Sequence, residues 1–281
     1  MFSKIIEEKL YLEYGPTNLV VEAFHKDKQK IYNYIIENID QMLIELSSEL
    51  KKLREKTKAN SKFKSQIAKT MNNSTKIFLP TFITPLASVA GAISETLLDK
   101  ILSKFYLEKI YINNGGDAAI FLKKNQTLKF LIASTNSLLI TLQGDDSKYG
   151  IATSGWKGRS FSLGIADSVT TIAKSSAIAD AAATIIANDI NIPNHKNIKK
   201  QEANKIDEHS DLKKKLVTTS VGELSQIDIK KALKKGAITA KKLIEKKIIL
   251  TALLNLKENY VYIGKKFKVE HTNKKINFIK L

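Results

Sequence analysis

The sequence contains no cysteine. Disulfides, thiolate metal sites and cysteine nucleophiles are therefore excluded within it, as is a lipid-modified cysteine. No apolar run approaches the roughly 20 residues that a bilayer-spanning helix needs. Histidine is sparse: His25, His195, His209 and His271 are scattered and lack metal-ligand spacing. There is no G-x-S-x-G elbow, no G-x-x-x-x-G-K-[ST] loop and no G-x-G-x-x-G fingerprint. The opening stretch MFSKIIEEKLYLEYG carries acidic residues where a secretory leader has its apolar core. These absences predict a cytoplasmic protein with no membrane span.

Arginine is nearly missing too. Of the 46 basic residues only Arg54 and Arg159 are arginine, in a chain of net charge +18. The charge is uneven: Asn194–Leu281 holds 22 lysines against nine acidic residues, or +13, which leaves +5 for residues 1–193. Such a segment suits nucleic acid or an acidic membrane electrostatically. It equally suits helices whose outer faces are simply solvated. We read it the second way, because no aromatic residues interleave with the lysines as single-strand binding requires, and nucleic acid is not an expected partner.

What is present is a folded composition, 43% hydrophobic and 26% charged. TNLVVEAF (17–24) reads as a strand after the Gly15-Pro16 turn. Residues 28–58 read as one long helix, with Ile35, Ile39, Leu43, Leu46, Leu50 and Leu53 at three- and four-residue spacing. Asn60–Thr75 reads as a loop or short helix. A second helix is expected from Thr84-Pro85 through LASVAGAISETLLDKILSKF, with small residues at its start. KIYI (109–112), AAIFL (118–122), TLKFLIA and SLLITLQ (within 127–143) and DSVTTIA (167–173) read as strands. SSAIADAAATIIAND (175–189) is a helix capped by Ser175 or Ser176. Beyond a polar connector, a strand near 216–221, one or two helices across 225–250, and strands near 260–263 and 267–271 complete the pattern. Helices and strands come in blocks, which predicts an α+β fold with a largely antiparallel sheet. We expect a single domain over 1–281, with a sub-boundary near 191–212 before a lysine-rich subdomain, 213–281.

Seven of the twelve glycines lie between Gly115 and Gly164. Glycine permits positive φ and close backbone approach, which a phosphate cradle needs; a meander full of turns would show the same density. Three features favour the cradle. In NNGGD the glycine pair precedes Asp117 at a strand–turn–strand junction, with Asn114 beside it, so Asn114, Gly115, Gly116 and Asp117 are candidate nucleotide contacts. The alternative there is a plain hairpin turn. TSGWKGRS holds the only Trp and one of the two arginines, and Arg159 suggests a planar, bidentate grip on phosphate or carboxylate that lysine cannot supply. In ADAAAT, Asp180 and Thr184 share one face of a helix otherwise built of Ala and Ile. A carboxylate there needs a partner; a hard cation held by Asp oxygen, Thr hydroxyl and backbone carbonyls would serve, as would hydrogen bonds to a neighbouring loop.

These residues carry a resemblance. GIATSGWKGRSFSLGIADSVTTIAKSSAIADAAATIIAND, with INNGGD and TPLASVAGAISETLLD upstream, GPTNLVVEA near the start and SDLKKKLVTTSVGELS near the end, is similar to the cytosolic branch of the ApbE-like proteins. The wider family contains FAD:protein FMN transferases, which use Mg²⁺ and FAD to attach FMN to a Thr or Ser of a target protein. The resemblance implies a T-fold-like antiparallel sheet packed with helices, and a homo-oligomer. It implies nucleotide contacts at Gly115, Gly116, Asp117, Thr153, Ser154 and Gly155, and Mg²⁺ ligands at Asp180 and Thr184 with a backbone carbonyl from Ala87 or Ala90. The transferases carry an A-K-G step where this chain has SVAGA. They also carry an H-I-x-D-P element after T-S-G, where this chain runs through WKGRSFSLGIADSVT. Arg159 and Ser160 belong to this branch's own segment and are candidate phosphate grips. Two functions remain open: Mg²⁺-assisted transferase or hydrolase chemistry on a flavin-like nucleotide, with Asp117 and Arg159 as catalytic candidates, or binding of a nucleotide or acidic metabolite without turnover.

Overall fold

The heptad-like spacing after residue 28 becomes a helix because every third or fourth side chain meets the core. The computed structural model describes residues 1–132, 135, 138–272, 276, 278–279 and 281. Three strands come first: β1 (Phe2–Ile6), β2 (Lys9–Tyr14) and β3 (Thr17–Ala23). Helix α1 (Lys28–Ser48) buries Ile31, Tyr32, Ile35, Ile39, Met42, Leu43 and Leu46, each worth about 2 kcal/mol of apolar burial. The single helix expected over 28–58 is broken at Glu49. A short α2 (Leu50–Leu53) follows, and the Glu49 carboxylate accepts the N–H groups of Lys64 at 2.9 Å and Ser65 at 2.7 Å. Those groups lead into α3 (Gln66–Lys76), whose N-cap Ser65 accepts from the Ala68 N–H. The polar 60–75 stretch is thus largely helical.

The next helix starts later than its Thr84-Pro85 signal. Pro85–Ser88 forms a 3₁₀ turn, and α4 (Val89–Leu102) begins after it. The Ser88 hydroxyl is turned inward, between Ser74 at 2.9 Å and the Pro85 carbonyl at 3.0 Å. Strands β4 (Lys109–Asn114), β5 (Asp117–Leu122), β6 (Thr127–Ile132), β7 (Leu138–Gln143), β8 (Ser147–Ser154) and β9 (Ser168–Ala173) precede α5 (Ser176–Asp189). Ala133 and Ser137, the inner ends of the two strands expected within 127–143, lie outside the described residues. Ser175, rather than Ser176, caps α5: its Oγ accepts the Ile178 N–H at 3.2 Å. The remainder is β10 (Ile198–Glu202), β11 (Leu216–Val221), α6 (Gln226–Glu245), β12 (Thr251–Leu256), β13 (Asn259–Gly264) and β14 (Lys268–His271). No helix among the described residues is long and apolar enough to cross a membrane.

The chain divides into two compact units. The first comprises Met1–Lys129, Thr141–Ala152 and Lys174–Asp180. Its sheet runs β1-β2-β3-β4-β5-β8, each neighbouring pair antiparallel. Leu10, Leu12, Leu19, Val21, Ile110 and Ile112 form one core with Ile35 and Ile39 of α1 and Leu97 and Leu98 of α4. The second unit comprises Phe130–Ile140, Thr153–Ala173 and Ala181–Leu281. Here β9, β12 and β13 pair antiparallel in that order, and β10 pairs antiparallel with β11. Every residue of β12 is buried, and α6 packs on β12 and β13. The α+β, antiparallel expectation holds throughout these pairings.

Candidate functional site

In the first unit the β4–β5 hairpin presents Asp117. Gly115 and Gly116 form its two-residue turn with φ of 61° and 116°, a left-handed pair that suits glycine. Both N–H groups are used internally. Gly115 donates to the Asn18 carbonyl at 3.1 Å, and Gly116 to Asn113 Oδ1 at 2.9 Å. Asn114 is buried; its Oδ1 accepts the Asn18 N–H at 3.2 Å and its Nδ2 reaches the Ala90 carbonyl at 3.5 Å. The same carbonyl accepts the Ser94 hydroxyl at 3.1 Å, and Ser94 also lies 3.2 Å from the Asp117 carbonyl. The sequence predicts free N–H groups at this turn. The structure instead shows it stitched to β3 through the Gly115 N–H.

The small residues at the start of α4 admit α5. A Cβ on Gly91 would fall 2.4 Å from the Ser176 carbonyl oxygen, and one on Gly150 2.2 Å from the Ser176 Cα. The two glycines therefore clasp the first turn of α5 backbone to backbone. Glu95 of α4 finishes the junction, accepting the Ser175 hydroxyl at 2.5 Å and the Ala177 N–H at 3.0 Å. This arrangement sets Asp180, whose Oδ2 accepts the Gly91 N–H at 3.0 Å. Burial pushes the Asp180 carboxyl well above the usual carboxylate range, and the nearby charge of Asp117 pushes it further. The N–H groups of Gly91 and Ala90 pull in the opposite direction.

In the second unit the TSG segment is held by hydroxyls and by one acid. Thr153 and Thr170 share a hydrogen bond of 2.8 Å, and the Thr184 hydroxyl of α5 lies 3.4 Å from Ser154 Oγ. Gly155 has a φ of 156°, and a Cβ there would meet the Asp167 carbonyl oxygen at 2.6 Å. Sequence reasoning missed Asp167. Its side chain is 5% exposed and has three donors: Trp156 Nε1 at 2.9 Å, Lys157 Nζ at 3.1 Å and the Lys257 N–H at 2.7 Å. A lone carboxylate between Ile165-Ala166 and the buried strand β9 was the available signal. Arg159 and Ser160 are exposed, on the loop between Asp167's two side-chain donors and the end of the segment. That loop is closed by Leu163, whose N–H donates to Asn188 Oδ1 at 2.9 Å, and by Thr218, whose hydroxyl donates to the Gly164 carbonyl at 2.7 Å.

The predicted residues therefore fall into two groups. Asp180, Asp117, Asn114 and Ala90 come together in the first unit; Thr153, Ser154 and Thr184 do so in the second. Ala87 lies in the 3₁₀ turn before α4, with its N–H bonded to the Thr84 carbonyl. Among the described residues there is no cluster of three or more His, Cys, Asp or Glu. The first group nonetheless fits a hard divalent cation. The charge of Asp117 disfavours that of Asp180, and the two carboxylates offer only oxygen. The Gly115 and Gly116 N–H groups do not fit a phosphate cradle, since both are already engaged.

The structure is similar over 97% of the chain to the flavinyl transferase ApbE of Pseudomonas stutzeri in its apo form, at 97% of that chain, a TM-score of 0.52 and 11% identity. It is also similar to a point mutant of the flavin transferase ApbE of Vibrio cholerae, over 91% of this chain and 96% of that one, with a TM-score of 0.50 and 13% identity. The chain belongs to the family described as AbpE bacteria, whose model matches residues 3–266. Among curated relatives, the UPF0280 proteins of Methanobrevibacter smithii and Methanocaldococcus jannaschii are each 43% identical, over 111 and 110 residues. Those matches cover 37% of this chain, and 45% and 43% of the relatives' own lengths.

Proposed function

We propose that this protein is a Mg²⁺-dependent transferase or hydrolase acting on a flavin nucleotide such as FAD. The observation that carries the proposal is the Asp180–Asp117 pair, with Asp180 fastened to the Gly91 N–H at 3.0 Å. A carboxylate held near a second one costs stability unless a cation offsets the repulsion. In this reading Asp180 and Asp117 hold the ion with a carbonyl from Ala87 or Ala90. When bound, Mg²⁺ supplies neutralisation of phosphate charge. Asp117 orients the ligand or takes a proton from the attacking group. Thr153, Ser154, Gly155, Arg159 and Ser160 are the proposed nucleotide contacts, with the Arg159 guanidinium gripping phosphate oxygens bidentately. Asn114, Gly115 and Gly116 act by holding Asp117 in place. The acceptor is a Ser or Thr of a cytoplasmic protein, or water.

The test is incubation with FAD and Mg²⁺, following AMP and FMN by chromatography. Product that requires Mg²⁺ and disappears in Asp180→Ala supports the proposal. A second reading, a module that binds a nucleotide or acidic metabolite without turnover, is favoured by the lack of the A-K-G lysine and of the H-I-x-D-P element that the transferases carry. It predicts Mg²⁺-dependent FAD binding with no product. Absence of both binding and product overturns both readings.

A further inference from the structure

Helices α1 and α6 are amphipathic, of 21 and 20 residues, and each packs one face on its own sheet. Their outer faces differ. On α1 there are two lysines against three acidic residues. On α6 there are six lysines, at 230, 231, 234, 235, 241 and 242, against Asp228 and Glu245. A coding bias toward lysine would act on both helices alike, so the difference belongs to α6. The exposed isoleucines add a second oddity. Ile227 is 79% exposed and Ile238 is 47% exposed, and both lie on the outer face of the helix. At the helical repeat of 3.6 residues they fall on one line along that face. Lys230, Lys234 and Lys241 flank the line on one side, and Lys231, Lys235 and Lys242 on the other.

The inner face of α6 is already buried through Ile229, Ala232, Leu233, Gly236, Ala240 and Leu243. The helix therefore cannot turn to insert its apolar stripe elsewhere. Of the six lysines, Lys241 stands 4.0 Å from Glu245 and Lys235 donates to the Asn191 carbonyl at 3.0 Å. Lys230, Lys231, Lys234 and Lys242 have no carboxylate partner among the described residues. Cations flanking a short apolar line match a layer with anionic headgroups above an acyl region. A nucleic-acid duplex offers the charge but nothing for two isoleucines, and the face has no aromatic side chain for stacking on unpaired bases.

We propose that the outer face of α6 docks the protein, peripherally and reversibly, onto an anionic lipid surface. The four unpaired lysines supply the attraction, and Ile227 and Ile238 dip into the headgroup boundary. The proposal is independent of the flavin chemistry.

The experiment is co-sedimentation of the full chain with vesicles of phosphatidylcholine, with and without about one-third phosphatidylglycerol. Two variants are compared: Lys230→Gln/Lys231→Gln/Lys234→Gln/Lys242→Gln and Ile227→Ser/Ile238→Ser. All six positions are surface positions, and matching circular dichroism and thermal midpoints confirm that both variants fold. Expected is binding only to the anionic vesicles, weakening steeply with salt. At about fivefold per lysine, the lysine variant falls by more than a hundredfold. The isoleucine variant falls several-fold with its salt dependence unchanged. Equal sedimentation with neutral vesicles, or wild-type binding by the lysine variant, overturns the proposal. So does wild-type binding by the isoleucine variant, or tighter binding to duplex RNA than to anionic vesicles, which makes the face a nucleic-acid surface.

Discussion

Asp167 is a buried carboxylate and Asp180 a half-buried one, and they are treated in opposite ways. Asp167 has an indole N–H, an ammonium and a backbone N–H around it. Asp180 has the backbone N–H groups of Gly91 and Ala90 and, facing it, the charge of Asp117. A charge satisfied by its own protein is there to hold the protein together. In the proposed function, a charge set against its like is held for an ion that arrives from outside. Under that proposal the contrast separates a fastening from a binding group.

The largest expected effect is on binding. Asp180→Ala should lower Mg²⁺ affinity by more than about a hundredfold, read by titration calorimetry, since a charged ligand oxygen is lost. Asp167→Ala should leave that affinity within a few-fold and instead destabilise the fold by about 2 kcal/mol in denaturant unfolding, because the half-buried Trp156 and Lys257 N–H groups lose their acceptor. If Asp167→Ala abolishes Mg²⁺ binding while the protein stays folded, the contrast is broken. Next is Gly91→Ala: its methyl would collide with the Ser176 carbonyl. It should cost about 1–3 kcal/mol by overpacking and shift Asp180, lowering Mg²⁺ affinity as well.

Asp180→Asn removes the repulsion while keeping an oxygen for the Gly91 N–H. Without Mg²⁺ its stability should equal or exceed the parent's, by about 1 kcal/mol at neutral pH, and the rise in thermal midpoint on adding Mg²⁺ should vanish. The smallest effect concerns a third carboxylate, Asp145. Burial alone would raise it, but hydrogen bonds from Lys174, Ser147 and Tyr149 outweigh that and bring it from 3.8 to about 2. A lowered folded-state value stabilises above pH 3.8, and the contribution is lost as pH falls toward 2. Asp145 and Lys174 are each about half exposed, at 50% and 47%, so Lys174→Met should change acid unfolding by well under ~1 kcal/mol.

Periodicity made α1 legible in the sequence, because one of its faces lies in water. Helix α5 and strand β9 were legible although almost wholly buried. Other buried elements were not. Strand β12 is buried at all six positions, so TALLNL shows no alternation. Strand β8 was concealed in a Gly/Ser/Thr-rich stretch, and β1 and β2 were read only for what they lack as a leader. Asp180 stood out as the one acid on an Ala/Ile helix. The glycine density was visible, but much of it serves packing: Gly144, Gly150, Gly155 and Gly164 each sit against another stretch of backbone. Composition cannot distinguish room made for a ligand from room made for the chain itself. Asp167 was silent because its partners, Trp156 and Lys257, are joined only by folding.

The clasp of Gly91 and Gly150 around Ser176 has a consequence for how such a protein can diverge. Asp180 is positioned by main chain against main chain, and the buried Ser176, Ala177 and Ala179 leave no room for larger side chains in the first turn of α5. Two residues without side chains carry the constraint. Substitution at either would be felt one turn away, at a carboxylate that neither residue resembles.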